Sequence, residues 1–160
     1  MLALFAVAGV AAAYLWHWWW SPAPVGVAFE KEPYFEPDQE FRSTGMFVAI
    51  AVPLGLVLSM LLTFFLDRDE VVTIAALLAG SCLATALMVV VGYALGPQDA
   101  HQVAPRLDDL EKVRADLRVQ SFAPYLAMPV GTLVGSVAVL LTTGKRRSHR
   151  ASTGYAPGPT

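Results

Sequence analysis

The stretch Thr44–Leu95 reads TGMFVAIAVPLGLVLSMLLTFFL (44–66), DRDE (67–70), VVTIAALLAGSCLATALMVVVGYAL (71–95). Its only charged side chains are those of Asp67, Arg68, Asp69 and Glu70. A helix needs about 20 apolar residues to cross the hydrocarbon of a bilayer. Two such runs stand back to back here. They predict two transmembrane helices, joined by a short charged turn and packed as neighbours in an antiparallel hairpin.

Two more runs lie outside that hairpin, Met1–Trp20 and Phe122–Thr143. The first begins at a methionine, as a signal peptide would, but it has no basic stretch before its apolar run. It also ends in Trp16, His17, Trp18, Trp19 and Trp20, where a signal peptidase needs small residues. Indole rings favour the headgroup level. We therefore expect a retained helix, with Trp16, Trp18, Trp19 and Trp20 as interface anchors.

Composition agrees with a membrane protein. Of 160 residues, 56% are hydrophobic and only 15% charged, with a mean hydropathy of +0.53. An ordinary soluble domain carries about 25% charged residues. So little charge argues against a soluble enzyme or a disordered regulator. A net charge of -2 gives no basic footprint for nucleic acid. The single cysteine, Cys82, excludes an internal disulfide and a cysteine-cluster metal site.

The predicted fold class is an all-α integral membrane protein, with one four-helix domain over 1–143 and a tail over 144–160. Lys145, Arg146, Arg147 and Arg150 follow the last span, so the positive-inside rule places both termini in the cytoplasm of a plasma (inner) membrane. Segments 21–43 and 96–121 are then outside. The first is proline-interrupted and acidic, and reads as an extended loop whose Tyr34, Phe35 and Phe41 suit either the membrane surface or a docking partner. The second reads as a short amphipathic helix over about Pro105–Val119. Leu107, Leu110, Val113 and Leu117 form its apolar stripe, and Asp108 and Lys112 pair at i,i+4. Leu107, Leu110 and Leu117 are further docking candidates. The tail from Ser148 is polar and expected to be solvated and flexible.

Transport and proton relay need ionisable groups at depth, and spans two to four contain no Asp, Glu, Lys or Arg. Their hydroxyls can each bond a carbonyl one turn back. No Gly-rich phosphate loop, H-E-x-x-H or G-x-S-x-G occurs. The histidines show no ligand set. We expect no catalytic residue, no cofactor and no metal.

Packing signals are stronger. Gly131 and Gly135 make one GxxxG, Gly92 and Gly96 another, and Gly80 with Ala84 a small-xxx-small pair. Small residues let helix backbones approach closely in lipid. The spacing does not say whether the neighbour is in this chain or in a partner. Pro53 and Pro129 are expected to kink spans two and four.

The acidic-aromatic lead-in Tyr34-Phe35-Glu36-Pro37-Asp38-Gln39-Glu40-Phe41, the third-span ending Val91-Gly92-Tyr93-Ala94-Leu95-Gly96 and the lead-in Ala115-Asp116-Leu117-Arg118-Val119 carry a resemblance over about Tyr34–Leu141. In this order they resemble an actinobacterial four-pass membrane family of unknown function. In size and layout the chain is also similar to the LucB-type accessory subunits of mycobacterial Mce lipid importers. That resemblance implies a non-enzymatic accessory subunit in the cell envelope, partnered by other membrane-protein subunits of an Mce-type ABC transporter for lipids or fatty acids. It supplies no catalytic residues. An accessory subunit of a respiratory-chain supercomplex and a small transporter component are the competing readings. Contact with membrane lipids is expected in all of them, and with nucleic acid in none.

Overall fold

The computed structural model describes residues 1–65, 70–119 and 121–152. The expected turn at 67–69 and the last residues of the tail, 153–160, lie outside them. Four helices are long and apolar enough to span a membrane. They are α1 (Leu2–Trp20), α2 (Pro37–Phe65), α3 (Glu70–Leu95) and α5 (Ala127–Ser152). The chain is a multi-pass membrane protein of the all-α class. Helix α2 begins seven residues before the expected span, because Pro37 suits a first helical position. Helix α5 runs on to Ser152, past the expected end at Thr143. Pro53 lies inside α2, but Pro129 falls in the first turn of α5, where no backbone donor is needed. The kink expected there has no cause.

The helices are not paired as the hairpin reading predicts. Spans α2 and α3, adjacent in sequence, barely touch. The tight pairs are α1 with α3 and α2 with α5, and both are parallel. Going along α1, Gly9 lies against Ala84, with Phe5 against Gly80 before it and Trp16 against Gly92 after it. On the other pair Gly131 abuts the Val52 backbone, Gly135 abuts Leu56 and Ser59, and Gly55 abuts Met128 and Thr132. Glycine at these places is a matter of space, since a Cβ would enter the facing backbone or ring. Three buried hydroxyls stay local: Ser59 donates to Leu56 O at 2.9 Å, Ser81 to Leu78 O at 2.9 Å and Ser136 to Thr132 O at 2.8 Å, whereas Thr63 Oγ1 has no partner among the described residues. Thr132 reaches across to Gly55 O at 3.4 Å.

One end of the bundle carries a small antiparallel sheet in the order β2-β1-β3. Its strands are β1 (Val25–Phe29), β2 (Glu32–Tyr34) and β3 (Lys112–Arg114). The amphipathic helix expected over Pro105–Val119 is therefore replaced. A single turn, α4 (Ala100–Val103), leads into a 3-10 turn at Ala104–Arg106, and the chain then extends. From Lys112 to Val119 it alternates: Val113, Ala115, Leu117 and Val119 are buried, while Lys112, Arg114 and Arg118 are exposed. A period of two fits a strand and defeats a helix. The first loop is likewise a hairpin. Glu30 and Lys31, with φ of 50° and 68°, form its two-residue turn.

Candidate functional site

The sheet end of the bundle is held by aromatic side chains, one from each spanning segment. Trp16 is fully buried, packs edge-on to Phe47 at 5.2 Å and donates from Nε1 to Ser43 O at 3.1 Å. Tyr93 and Tyr125 share a hydrogen bond of 3.0 Å between their hydroxyls, and the Val119 amide donates to Tyr93 Oη at 3.2 Å. Trp16 is thus a core residue at the junction of bundle and sheet, a correction to its expected place at the headgroups. Trp20 is also buried, at 3% exposure. Trp18 and Trp19 are exposed.

Beside this junction two helices stop together. Pro22 disfavours helix at Ser21, whose amide donates to His17 O and Trp18 O at 3.1 and 3.2 Å. Gly96 N donates to Gly92 O at 3.0 Å, and Pro97 ends α3. The sheet closes over both ends: Ala115 N donates to Pro24 O at 2.8 Å, and Val25 stands opposite Arg114. Between them is a cavity of about 390 Å³, at the small end of ligand pockets. Its walls include His17, Trp20, Val25, Leu95 and Arg114. Arg114 brings a full positive charge, and no carboxylate is among the described residues that line the space. The last turns of α1 and α3 bring the partial negative charge of helix C-termini. Two wall residues hold buried polar atoms, Trp20 Nε1 and His17 Nδ1, with no hydrogen-bond partner among the described residues. Leaving such an atom unpaired costs about 1–3 kcal/mol. The pocket therefore offers both signs of charge and an apolar wall.

The sheet has a second feature. Ala28 and Val113 turn one face towards Ala100 and Ala104, with Phe35 and Leu107 half-buried beside them. The opposite face has no cover: Val25, Phe29 and Tyr34 are 52%, 53% and 69% exposed. At its far end Leu110 is exposed and left-handed, with φ 72°. Its amide donates to Ala28 O at 2.7 Å, and the Glu30 amide donates to Asp109 Oδ1 at 3.1 Å. Compared with protein-family models, curated proteins and solved structures, the chain matches none.

The site residues expected from sequence divide accordingly. Gly80, Ala84, Gly92, Gly131 and Gly135 all pack against helices of this chain, and Gly96 receives Leu117 from the sheet side. These contacts use them inside the bundle. Leu117 is buried within this chain, Phe35 and Leu107 are half-buried, and Tyr34, Phe41 and Leu110 are exposed. His17 and Arg114 were not singled out as a pair. The only signal for them is local: a histidine in the last turn of α1 and a cation in an alternating strand. Gly9 and Gly55 make equally close approaches, and their signal in the sequence is the small-xxx-small spacing of Gly9 with Ala13 and of Ala51, Gly55 and Ser59. Among the described residues no group of three His, Cys, Asp or Glu gathers.

A charged group ties the sheet connections together. Arg118 binds Asp99 at 3.0 Å and Asp116 at 3.4 Å. Burial pushes the Asp116 carboxyl above the usual range, against the opposing pull of its backbone hydrogen bond and of Arg118.

Proposed function

We propose that the chain is a non-enzymatic accessory subunit that packs against a larger membrane complex and stabilises or regulates it. The observation that carries this reading is the uncovered sheet face with its strained tip. Exposed apolar residues on the spans need only lipid as a neighbour. Phe29 and Leu110 lie beyond the spans, and Glu30, Lys31 and Leu110 hold left-handed backbone there without being glycine. Each such residue costs about 1–2 kcal/mol, and strained residues cluster at binding and switch regions. A tip that keeps apolar side chains at that cost suits contact with another subunit. We propose an Mce-type lipid or fatty-acid importer as the complex, on the resemblance of Tyr34–Leu141. The basic residues at 145–150, in the last turns of α5 beyond its apolar stretch, favour cytoplasmic termini in the plasma membrane and hence an outer position for the sheet.

The test is purification of the tagged chain in mild detergent, with quantitative mass spectrometry of its companions. We expect stoichiometric importer subunits. Phe29→Ser with Leu110→Gly should lower their recovery about tenfold, the scale of a single interface hot spot. Glycine suits the Leu110 backbone, so the double variant should reach the membrane at the usual level. Recovery of respiratory subunits instead would replace the proposed partner, and unchanged recovery in the variant would remove the tip from the interface. In a Cys82→Ser background, a cysteine at Gln102 should label from outside the cell and one at Ser152 should not.

A further inference from the structure

We propose that the cavity between the ends of α1 and α3 and the sheet binds the headgroup of a zwitterionic phospholipid, of the phosphoethanolamine kind. The inference is independent of which complex the chain joins.

The position selects a membrane amphiphile. The pocket opens where two spanning helices end, one turn from the exposed Trp18 and Trp19. Its apolar wall, with Val25 and Leu95, suits the glycerol and upper acyl carbons. The charges select the headgroup. Arg114 faces no carboxylate among the described residues that line the pocket, and guanidinium is the side chain best matched to phosphate. A phosphate alone would meet the negative ends of two helices. Those same ends favour a cation, so an ammonium a few bonds from the phosphate turns an opposing field into a favourable one. Trp20 lines the same space, is 3% exposed, and holds an indole N–H with no acceptor among the described residues.

Native mass spectrometry of the delipidated full chain, titrated with short-chain phosphatidylethanolamine, tests this. One lipid should bind saturably. Arg114→Gln should weaken it about tenfold or more, as loss of a charged hydrogen bond does, and Arg114→Lys should restore part of the affinity. Val25→Glu is the second variant, because position 25 is directly opposite Arg114 and its carboxylate would occupy the guanidinium. It should weaken binding as much, in a chain that elutes and melts like the parent. Equal binding of short-chain phosphatidylglycerol would overturn the zwitterionic assignment. Displacement by inorganic phosphate or free phosphoethanolamine at equal concentration would overturn a membrane lipid as the source. Binding unchanged in both variants would overturn the site.

Discussion

Glycine serves close approach in the bundle and at Gly26 of β1, and is missing from the left-handed positions of the sheet. In the bundle, Gly9, Gly55, Gly131 and Gly135 stand where a Cβ would strike a facing helix backbone. In the sheet, the left-handed positions are held by Glu30, Lys31 and Leu110, and among the described residues no glycine has a positive φ. The bundle keeps small residues because lipid gives helices no hydrophobic reason to associate, so contact distance governs stability. The sheet tip keeps large side chains although glycine would relieve its backbone. The first region is built to close on itself, and the second retains groups that do nothing for its own folding.

The row of tryptophans tests where one region ends and the other begins. Trp16→Ala removes a fully buried ring, its contact with Phe47 and its bond to Ser43 O. Large aromatic truncations in cores cost about 3–5 kcal/mol. Trp18→Ala, at a residue 73% exposed, should cost under about 0.5 kcal/mol. Thermal unfolding of the purified chain followed by tryptophan fluorescence compares the two. Equal losses would mean that the bundle does not depend on this junction.

The helix pairs come next in size. Gly131→Leu and Gly135→Leu should each destabilise by about 1–3 kcal/mol, as overpacked cores do, and lower the yield of folded, monodisperse protein. Gly45→Leu is the control, since nothing lies within 4 Å of a Cβ there. If Gly131→Leu and Gly135→Leu leave folding intact but strip companion subunits, that face belongs to a partner and the comparison above breaks.

How legible this was in the sequence differs between the regions for a physical reason. Uninterrupted apolar runs announce spans regardless of neighbours, so four helices follow from hydropathy, and the limits of α1 and α3 with them, while α2 and α5 extend into polar sequence that hydropathy does not mark. Which helix meets which does not follow, because lipid-facing and buried positions are equally apolar. Both Gly131 and Gly135 signalled close approach without naming Val52 or Leu56 as its object. Over 107–117, Leu107, Leu110, Val113 and Leu117 satisfy helical spacing, while Val113, Ala115, Leu117 and Val119 satisfy strand spacing equally well. The stricter alternation from Lys112 to Val119 was the better guide. Pairing of Val25–Phe29 with a segment some 85 residues away decided the outcome, a non-local term that periodicity does not contain. The pocket was illegible for the same reason, since His17 and Arg114 meet only through that pairing.

The smallest effect concerns the charged group that anchors the sheet. Burial holds Asp116 towards its neutral form, so its folded pKa lies above the unfolded value of about 3.9. A group with a raised pKa contributes stability that is complete below the unfolded value and is lost as pH rises through the folded one. At neutral pH the ionised carboxylate is therefore a cost, which Arg118 at 3.4 Å and a backbone hydrogen bond only partly offset. Asp116→Asn keeps the shape and removes the titration. It should slow hydrogen exchange of the β3 amides at pH 7, leave the bundle amides unchanged, and lose its advantage as the pH is lowered through the carboxylate range. Comparing the two chains at each pH removes the intrinsic exchange rate from the result. An advantage that grows on acidification would mean that the pairing with Arg118 outweighs burial. The segment after β3 would then be held by its ion pairs, where the geometry indicates packing around Leu117 and Val119.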